Sequence, residues 1–218
     1  MLNQITLACY EQVSNHQFIN AQTWCVAELY CSFLKRYKTG KIVKCNVSIK
    51  DNWNELIDYY ERYTDVITVR LNFDFDAYLK LSKLEMKRMQ LNHLHKGMMV
   101  IAQQEGWSVD QLLDAYNYSL RQNLLYSFYL RNNRWKSSPD RAYKIRFWCE
   151  WDIDSFDVYY VLFDRQNQEL KRSRFIKGNP SEGEFIYYVD WKWIDNKTVL
   201  FSNNYKYGNG EVWTIEVV

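Results

Sequence analysis

The hydrophobic positions follow a helical spacing in the first part of the chain and an alternating spacing in the second. From residue 77 to residue 101, apolar residues recur every three or four positions, which is typical of one face of an α-helix. Gly106 follows, a residue type that often ends helices, and the same spacing resumes over residues 109–128. The pattern predicts a helical hairpin over about residues 76–131, with an earlier helix over about 21–37.

Two capping signals precede these helices. Asp74 or Asp76 is suited to be the N-cap of the first, because a carboxylate can accept a hydrogen bond from a free backbone N–H of the first turn. Ser108 with Gln111 has the spacing of a capping box at the start of the second.

Strict alternation of apolar and polar residues predicts strands. Residues 41–49 and 66–75 each place apolar side chains on one side only, which indicates half-buried strands. Six further strands are predicted in the last third of the chain, over residues 143–151, 156–164, 169–176, 184–193, 198–202 and 211–217. Short turn sequences separate most of them, so the C-terminal part is predicted to be an antiparallel meander.

Together the elements predict an α+β fold in which the helical hairpin packs with an antiparallel, meander-like β-sheet. A cluster of turn residues at 137–140 divides the chain into an α/β part, residues 1–136, and the meander, residues 137–218. We expect the two parts to pack as one compact unit.

Composition excludes several classes of protein. Aromatic residues make up 17% of the 218 residues, against only 7 Gly and 2 Pro, so the chain is neither disordered nor collagen-like. The 28 Lys and Arg and 26 Asp and Glu leave a net charge of +2, which gives no global attraction to nucleic acid or to an anionic membrane. Five scattered cysteines without a CxxC pair indicate free thiols in the cytoplasm.

No catalytic, metal-binding or phosphate-binding motif is present in the sequence, and no cofactor is predicted. Asp74 and Asp76 resemble the paired carboxylates of a metal-dependent hydrolase or nuclease, with His93 or His95 as a neighbouring base. The two histidines point about 200° apart on a helix and cannot share one metal ion. Helix capping is the favoured interpretation of the aspartates, and the hydrolase remains an alternative.

The aromatic residues of the meander indicate a protein-binding surface. Their alternation gives too many rings for one core, and exposed Trp and Tyr are frequent anchors of protein interfaces. With two aspartates expected at a hairpin, the predicted partner-binding residues are Trp148, Asp152, Asp154, Tyr159, Tyr188, Trp191 and Trp193.

A basic run over residues 171–174, followed by Lys177, suggests a second alternative, the binding of single-stranded nucleic acid. The same alternation is typical of an exposed edge strand, in which cations prevent aggregation. The edge strand is the favoured interpretation.

The segments LNHLHKGM from Leu91, AQQEGWS from Ala102 and LDAY from Leu113 resemble immunity proteins of bacterial polymorphic toxin systems. That resemblance implies a helical pair beside a sheet and a cytoplasmic protein without chemistry of its own. It also implies that the partner is a cognate toxin, which the protein binds and blocks. The leading hypothesis is therefore a non-enzymatic immunity protein that acts by occlusion.

Overall fold

The computed structural model describes residues 2–9, 17–34, 36–51, 59–204 and 210–217. It divides into two compact units, unit 1 (Met1–Tyr126) and unit 2 (Ser127–Val218). The predicted mixed α+β fold is confirmed. That the parts pack as one compact unit stays a prediction.

Unit 1 contains both strands and helices. They are β1 (Gln4–Cys9), α1 (Gln17–Phe33), β2 (Lys44–Lys50), β3 (Tyr59–Tyr63), β4 (Val66–Asn72), α2 (Phe75–Tyr78), α3 (Lys83–Glu105) and α4 (Val109–Arg121). The sheet has the order β1-β2-β4-β3, in which β1, β2 and β4 are parallel and β3 runs antiparallel to β4.

The alternation predicted for β2 and β4 is confirmed. Their odd-numbered residues, such as Cys45, Val47 and Val69, are buried, whereas their even-numbered residues are half-buried or exposed. Helix α3 packs against these strands and α1 against β1. The core of unit 1 therefore lies on the apolar side of the sheet, as expected when one face is buried against helices.

Helix α3 approaches β2 closely at Gly97. A Cβ added there would lie 2.5 Å from Cγ2 of Val47 and 2.8 Å from its Cγ1. Only a residue without a side chain allows this contact, so Gly97 sets the distance between helix and sheet.

The prediction of helix from residue 76 is wrong in part, because α2 ends at Tyr78 and α3 begins only at Lys83. Asp74 is the N-cap of α2, as predicted, and its Oδ1 accepts a hydrogen bond from the backbone N–H of Ala77 at 2.8 Å. The start of α3 is fixed by a capping box between Ser82 and Glu85.

The end of α3 at Gly106 is confirmed by its left-handed backbone, φ 66°. The capping box predicted at Ser108 is wrong, since its side chain makes no capping hydrogen bond. The second helix ends at Arg121 instead of near residue 131, because Asn123 and Leu124 are both left-handed, with φ 52° and 55°.

Unit 2 is built mostly from strands. Its elements are β5 (Tyr126–Tyr129, which begins at the boundary), α5 (Leu130–Asn133), β6 (Lys136–Ser137), β7 (Lys144–Trp151), β8 (Phe156–Phe163), β9 (Glu169–Gly178), a 3-10 helix (Pro180–Tyr187), β10 (Val189–Trp193), β11 (Thr198–Asn203) and β12 (Val212–Glu216). One sheet has the order β5-β7-β8-β9, with β6 also paired to β7, and another has the order β10-β11-β12. Both β5 and β6 pair with β7, which brings residues before the predicted boundary into this sheet.

The strand predicted over residues 184–193 is wrong in its first half, which belongs to the 3-10 helix. Pro180 starts that helix, and the ring fixes its φ in the helical range. Gly183 lies against the indole of Trp151 so closely that a side chain has no room. The helix separates the strands into two sheets where one meander was expected.

The two sheets of unit 2 enclose an aromatic core. The ring centroid of Phe147 on β7 lies 5.1 Å from that of Trp191 on β10 and 4.6 Å from that of Phe201 on β11. Phe175 on β9 lies 5.1 Å from Phe201. Much of the aromatic surplus therefore fills this core, where ring pairs at about 4.5–7 Å are favourable.

Candidate interaction surface

The side of β7, β8 and β9 that faces away from this core carries a surface of mixed aromatic and charged side chains. Strand register groups them in rows across the sheet, with Trp148 opposite Tyr159 and Tyr159 opposite Arg174 in the central row. We call this surface the Trp148 face, and it consists of Tyr129, Arg146, Trp148, Glu150, Asp157, Tyr159, Arg172 and Arg174.

Trp148 and Tyr159 form the centre of the Trp148 face. Both are half-buried, and the indole Nε1–H of Trp148 donates to Oε1 of Glu150 at 3.0 Å. Burial, with the negative charges of Glu150 and Asp157 as smaller causes, raises the pKa of Tyr159, so its hydroxyl stays protonated at neutral pH. The pair presents two amphipathic rings, each with a polar group at its edge.

Ion pairs surround the aromatic pair. Nη1 of Arg174 lies 3.2 Å from Oδ2 of Asp157, and Arg172 donates from Nε and Nη2 to the two carboxylate oxygens of Glu169 at 3.0 and 2.9 Å. The guanidinium of Arg172 also lies 5.3 Å from the ring centroid of Trp148. Exposed ion pairs contribute little to stability, but they hold long side chains in a defined arrangement.

Arg146 lies beside Trp148 on the same side of β7 and is only 8% exposed. Its Cζ is 3.6 Å from the ring centroid of Tyr129 and 4.3 Å from that of Trp135. Desolvation lowers its pKa from the usual value, yet an arginine remains charged at neutral pH. The Trp148 face therefore contains a cation held between aromatic rings.

Two buried polar atoms of the Trp148 face lack a hydrogen-bond partner within the described part of the chain, Nε of Arg146 and Oδ1 of Asp157. Their rows flank the central Trp148–Tyr159 row on either side. Buried polar atoms are nearly always hydrogen-bonded in folded proteins, so such positions need an explanation.

The predicted residues Asp152 and Asp154 lie in the loop between β7 and β8, next to the row that pairs Glu150 with Asp157. Oδ1 of Asp152 accepts from the backbone N–H of Ile153 at 2.8 Å, and Asp154 is exposed. The structure thus brings four predicted residues to one hairpin, since Trp148 and Tyr159 lie on its two strands.

The other three predicted residues lie on or beside β10, away from the Trp148 face. Trp191 is 1% exposed and belongs to the core between the sheets, which corrects its assignment to the binding surface. Trp193 is half-buried and donates from Nε1 to the backbone oxygen of Lys136 at 3.0 Å. Tyr188 is 43% exposed.

Strand β9 is the last strand of its sheet among the residues described. It carries the basic run, and most of its side chains are exposed. The favoured interpretation as an edge strand is confirmed. Since Arg172 and Arg174 are already paired with Glu169 and Asp157, the run is less available to phosphates than its sequence suggests.

Of the residues of the alternative site, Asp74, His93 and His95 make local contacts, and Asp76 lies exposed in the first turn of α2. Asp74 caps α2, and Nδ1 of His93 lies 2.8 Å from the backbone oxygen of Met89. Nδ1 of His95 lies 2.9 Å from the hydroxyl oxygen of a tyrosine on α1. Burial lowers the pKa of both histidines. Within the described ranges, no three His, Cys, Asp or Glu side chains are placed to hold a metal ion.

Sequence reasoning misses Arg146 and Tyr129 as members of the candidate surface. The alternation over residues 143–151 already places Arg146 on the side of Trp148, so one signal is present. The position of Tyr129 depends on the pairing of β5 with β7, and no local pattern encodes that pairing.

No helix among the described residues has the length and apolar character needed to span a bilayer. Comparison with known proteins finds no matching family model, no matching curated protein and no matching solved structure.

Proposed function

We propose that the protein is a non-enzymatic protein-binding module, an immunity protein that neutralises a cognate bacterial toxin by occluding the toxin's functional surface. The Trp148 face is the proposed contact surface, and the directly opposed Trp148 and Tyr159 carry the proposal. The resemblance of residues 91–116 to immunity proteins supplies the class of the partner.

The chemistry of the Trp148 face supports an interface role. Its central tryptophan and tyrosine are residue types that dominate binding energy in protein interfaces, as is arginine, which surrounds them. The surrounding ion pairs offer a polar rim, which orients a partner and excludes water from the centre.

The two unpartnered buried atoms, Nε of Arg146 and Oδ1 of Asp157, also support it. A partner that supplies a hydrogen-bond acceptor to Nε of Arg146 and a donor to Oδ1 of Asp157 removes, on binding, the free-energy cost of leaving these atoms unpaired. Groups of this kind give a large gain to the correct partner and reject a partner that cannot satisfy them.

The cytoplasm is the proposed location. No disulfide joins any of the five cysteines, all of which lie in the described ranges, and this fits a reducing compartment. In the described residues, the contacts of Asp74, His93 and His95 give no observation that favours the hydrolase alternative.

The test is co-expression with the product of the neighbouring gene, measured as cell survival and as a purified complex. The wild type should protect the cells and bind. Trp148→Ala should weaken the complex by about 30-fold or more, the effect of losing about 2 kcal/mol at an interface anchor.

Tyr63→Ala is the matched control, because Tyr63 is 76% exposed in unit 1 and lies outside the Trp148 face. It should leave binding unchanged. Absence of protection and of a complex with the wild type rejects the toxin-neutralising function. If the affinity of the complex is unchanged in Trp148→Ala and in Tyr159→Ala, the Trp148 face is rejected as the contact surface. Salt-sensitive retention on single-stranded nucleic acid in place of a protein complex supports the nucleic-acid alternative.

A further inference from the structure

We infer that Arg146 forms a carboxylate-binding site, into which the protein partner inserts an acidic side chain. This inference rests on the proposed function and names the chemistry that the Trp148 face selects.

The first observation is the burial of an unpaired cation. Arg146 is 8% exposed, its buried Nε has no hydrogen-bond partner within the described residues, and none of the ion pairs found there involves it. A charge removed from water normally has a counter-ion or hydrogen-bond acceptors. Nearby carboxylates are engaged elsewhere, since Glu169 binds Arg172 and Glu150 accepts from Trp148.

The second observation is the direction left open to a ligand. With 3.6 Å between its Cζ and the ring centroid, the guanidinium lies flat on Tyr129, because an edge-on approach would push a nitrogen into the ring. Trp135 contacts it from another side at 4.3 Å. Aromatic rings stabilise the guanidinium by contact with its flat faces, but they accept no hydrogen bonds from the N–H groups that lie in its plane. Those N–H groups remain to bind an acceptor.

The third observation is the charge around the site. Nζ of Lys144 lies 5.9 Å from the ring centroid of Trp135, the ring that also contacts Arg146. Only Val161 separates Arg146 from Arg172 in the strand register. Arg172 is neutralised by Glu169, whereas within the described residues Lys144 donates only to neutral oxygens, of Arg165 and Asn167, so its positive charge favours an anionic ligand.

The shape of the site selects among anions. A carboxylate is planar and can continue the plane of the guanidinium alongside Tyr129, accepting two parallel hydrogen bonds. A tetrahedral phosphate in the same position directs an oxygen towards the ring face, where the negative π-cloud repels it. The site is therefore expected to prefer carboxylates to phosphate.

The experiment follows the side-chain Nε–Hε signals of arginine by NMR in the intact protein. N-acetylglutamate, inorganic phosphate and chloride are added separately at constant ionic strength. The Arg146 signal is assigned by its disappearance in Arg146→Lys. A saturable shift of that signal with N-acetylglutamate, at least about tenfold weaker with phosphate, is the expected result.

Arg174 provides the internal control, since its guanidinium is already paired with Asp157 and its signal should respond only weakly. The titration is made on the wild type, and Arg146→Lys, which keeps the positive charge, is used only to assign the signal. No saturable shift, or equal shifts with phosphate and carboxylate, overturns the inference.

The partner provides a second readout. Arg146→Lys retains the charge but loses the bidentate geometry, and it should weaken the toxin complex by about tenfold or more. Carboxylate binding without any toxin complex would reject the proposed function alone. A toxin complex without carboxylate binding at Arg146 would reject this inference alone.

Discussion

Replacing Gly97 with alanine should destabilise unit 1, although alanine is the better helix former. The new Cβ would lie 2.5 Å from Cγ2 of Val47, 2.8 Å from its Cγ1 and 3.1 Å from Cγ2 of Val69. Carbon atoms prefer separations of about 3.5–4.0 Å, so α3 must move about 1 Å away from the sheet. Overpacking of this kind costs about 1–3 kcal/mol, and helix propensity returns up to about 1 kcal/mol. We expect a net loss of about 1–2 kcal/mol.

Two buried cysteines allow each unit to be followed separately. Cys45 lies on β2 of unit 1 and Cys149 on β7 of unit 2, and both are 0% exposed. Burial raises the pKa of both thiols, that of Cys45 to about 12, so a thiol reagent labels them only after local unfolding. In Gly97→Ala, labelling of Cys45 should begin at lower urea concentration and should shift more than labelling of Cys149.

A double-mutant cycle with Val47→Ala tests the cause. Val47→Ala alone destabilises by leaving a cavity, but in the double variant the methyl group introduced by Gly97→Ala occupies that space. The double variant should therefore lose at least about 1 kcal/mol less than the sum of the single variants. The reasoning is refuted if Gly97→Ala stabilises unit 1, or if the two effects add within about 0.5 kcal/mol.

Two further predictions concern helix α3. Ser82→Ala removes the capping box and should lower the free energy of unfolding, measured by urea denaturation, by about 1 kcal/mol. Ser108→Ala is the control and should have almost no effect, because Ser108 makes no side-chain capping hydrogen bond. Equal effects of the two substitutions contradict this assignment. Because burial lowers the pKa of His93 and His95, the unfolded chain binds protons first on acidification. Their contribution is fully present above about pH 6.5 and is lost as the pH falls below it. Replacing both with glutamine should flatten the dependence of the urea midpoint on pH between about 7.5 and 5.5, and an unchanged slope contradicts the prediction.

The apolar periodicity of the sequence predicts some helix ends and misses others. The end of α3 at Gly106 follows from the spacing and from the one residue type that readily accepts its left-handed backbone. Periodicity misses the break after α2 because the apolar spacing continues through it. Leu84 belongs to that spacing but is 43% exposed, so its position says nothing about a core. The capping box at Ser82 is the signal that locates the start of α3.

Strand β5 is predicted as the end of a helix because its apolar residues continue the helical spacing. Its sequence, Tyr-Ser-Phe-Tyr, is equally suited to a strand, and pairing with β7 decides between the two. That pairing is non-local. The same cause underlies the error at the 3-10 helix, where contact with Trp151 overrides an alternating pattern.

The Trp148 face is only partly predictable because alternation assigns residues to two sides of a strand without showing what covers each side. On β7 the apolar side is plainly the core, so Trp148 falls on the opposite side together with Arg146. On β10 alternation puts Val189, Trp191 and Trp193 on one side, but only the packing of the two sheets shows that Trp191 is buried against Phe147 while Trp193 stays half-buried. Arg146 resembles any surface cation until the register brings Tyr129 over it. An aromatic-rich sequence therefore predicts that binding anchors exist, but strand pairing determines which rings become core and which remain available to a partner.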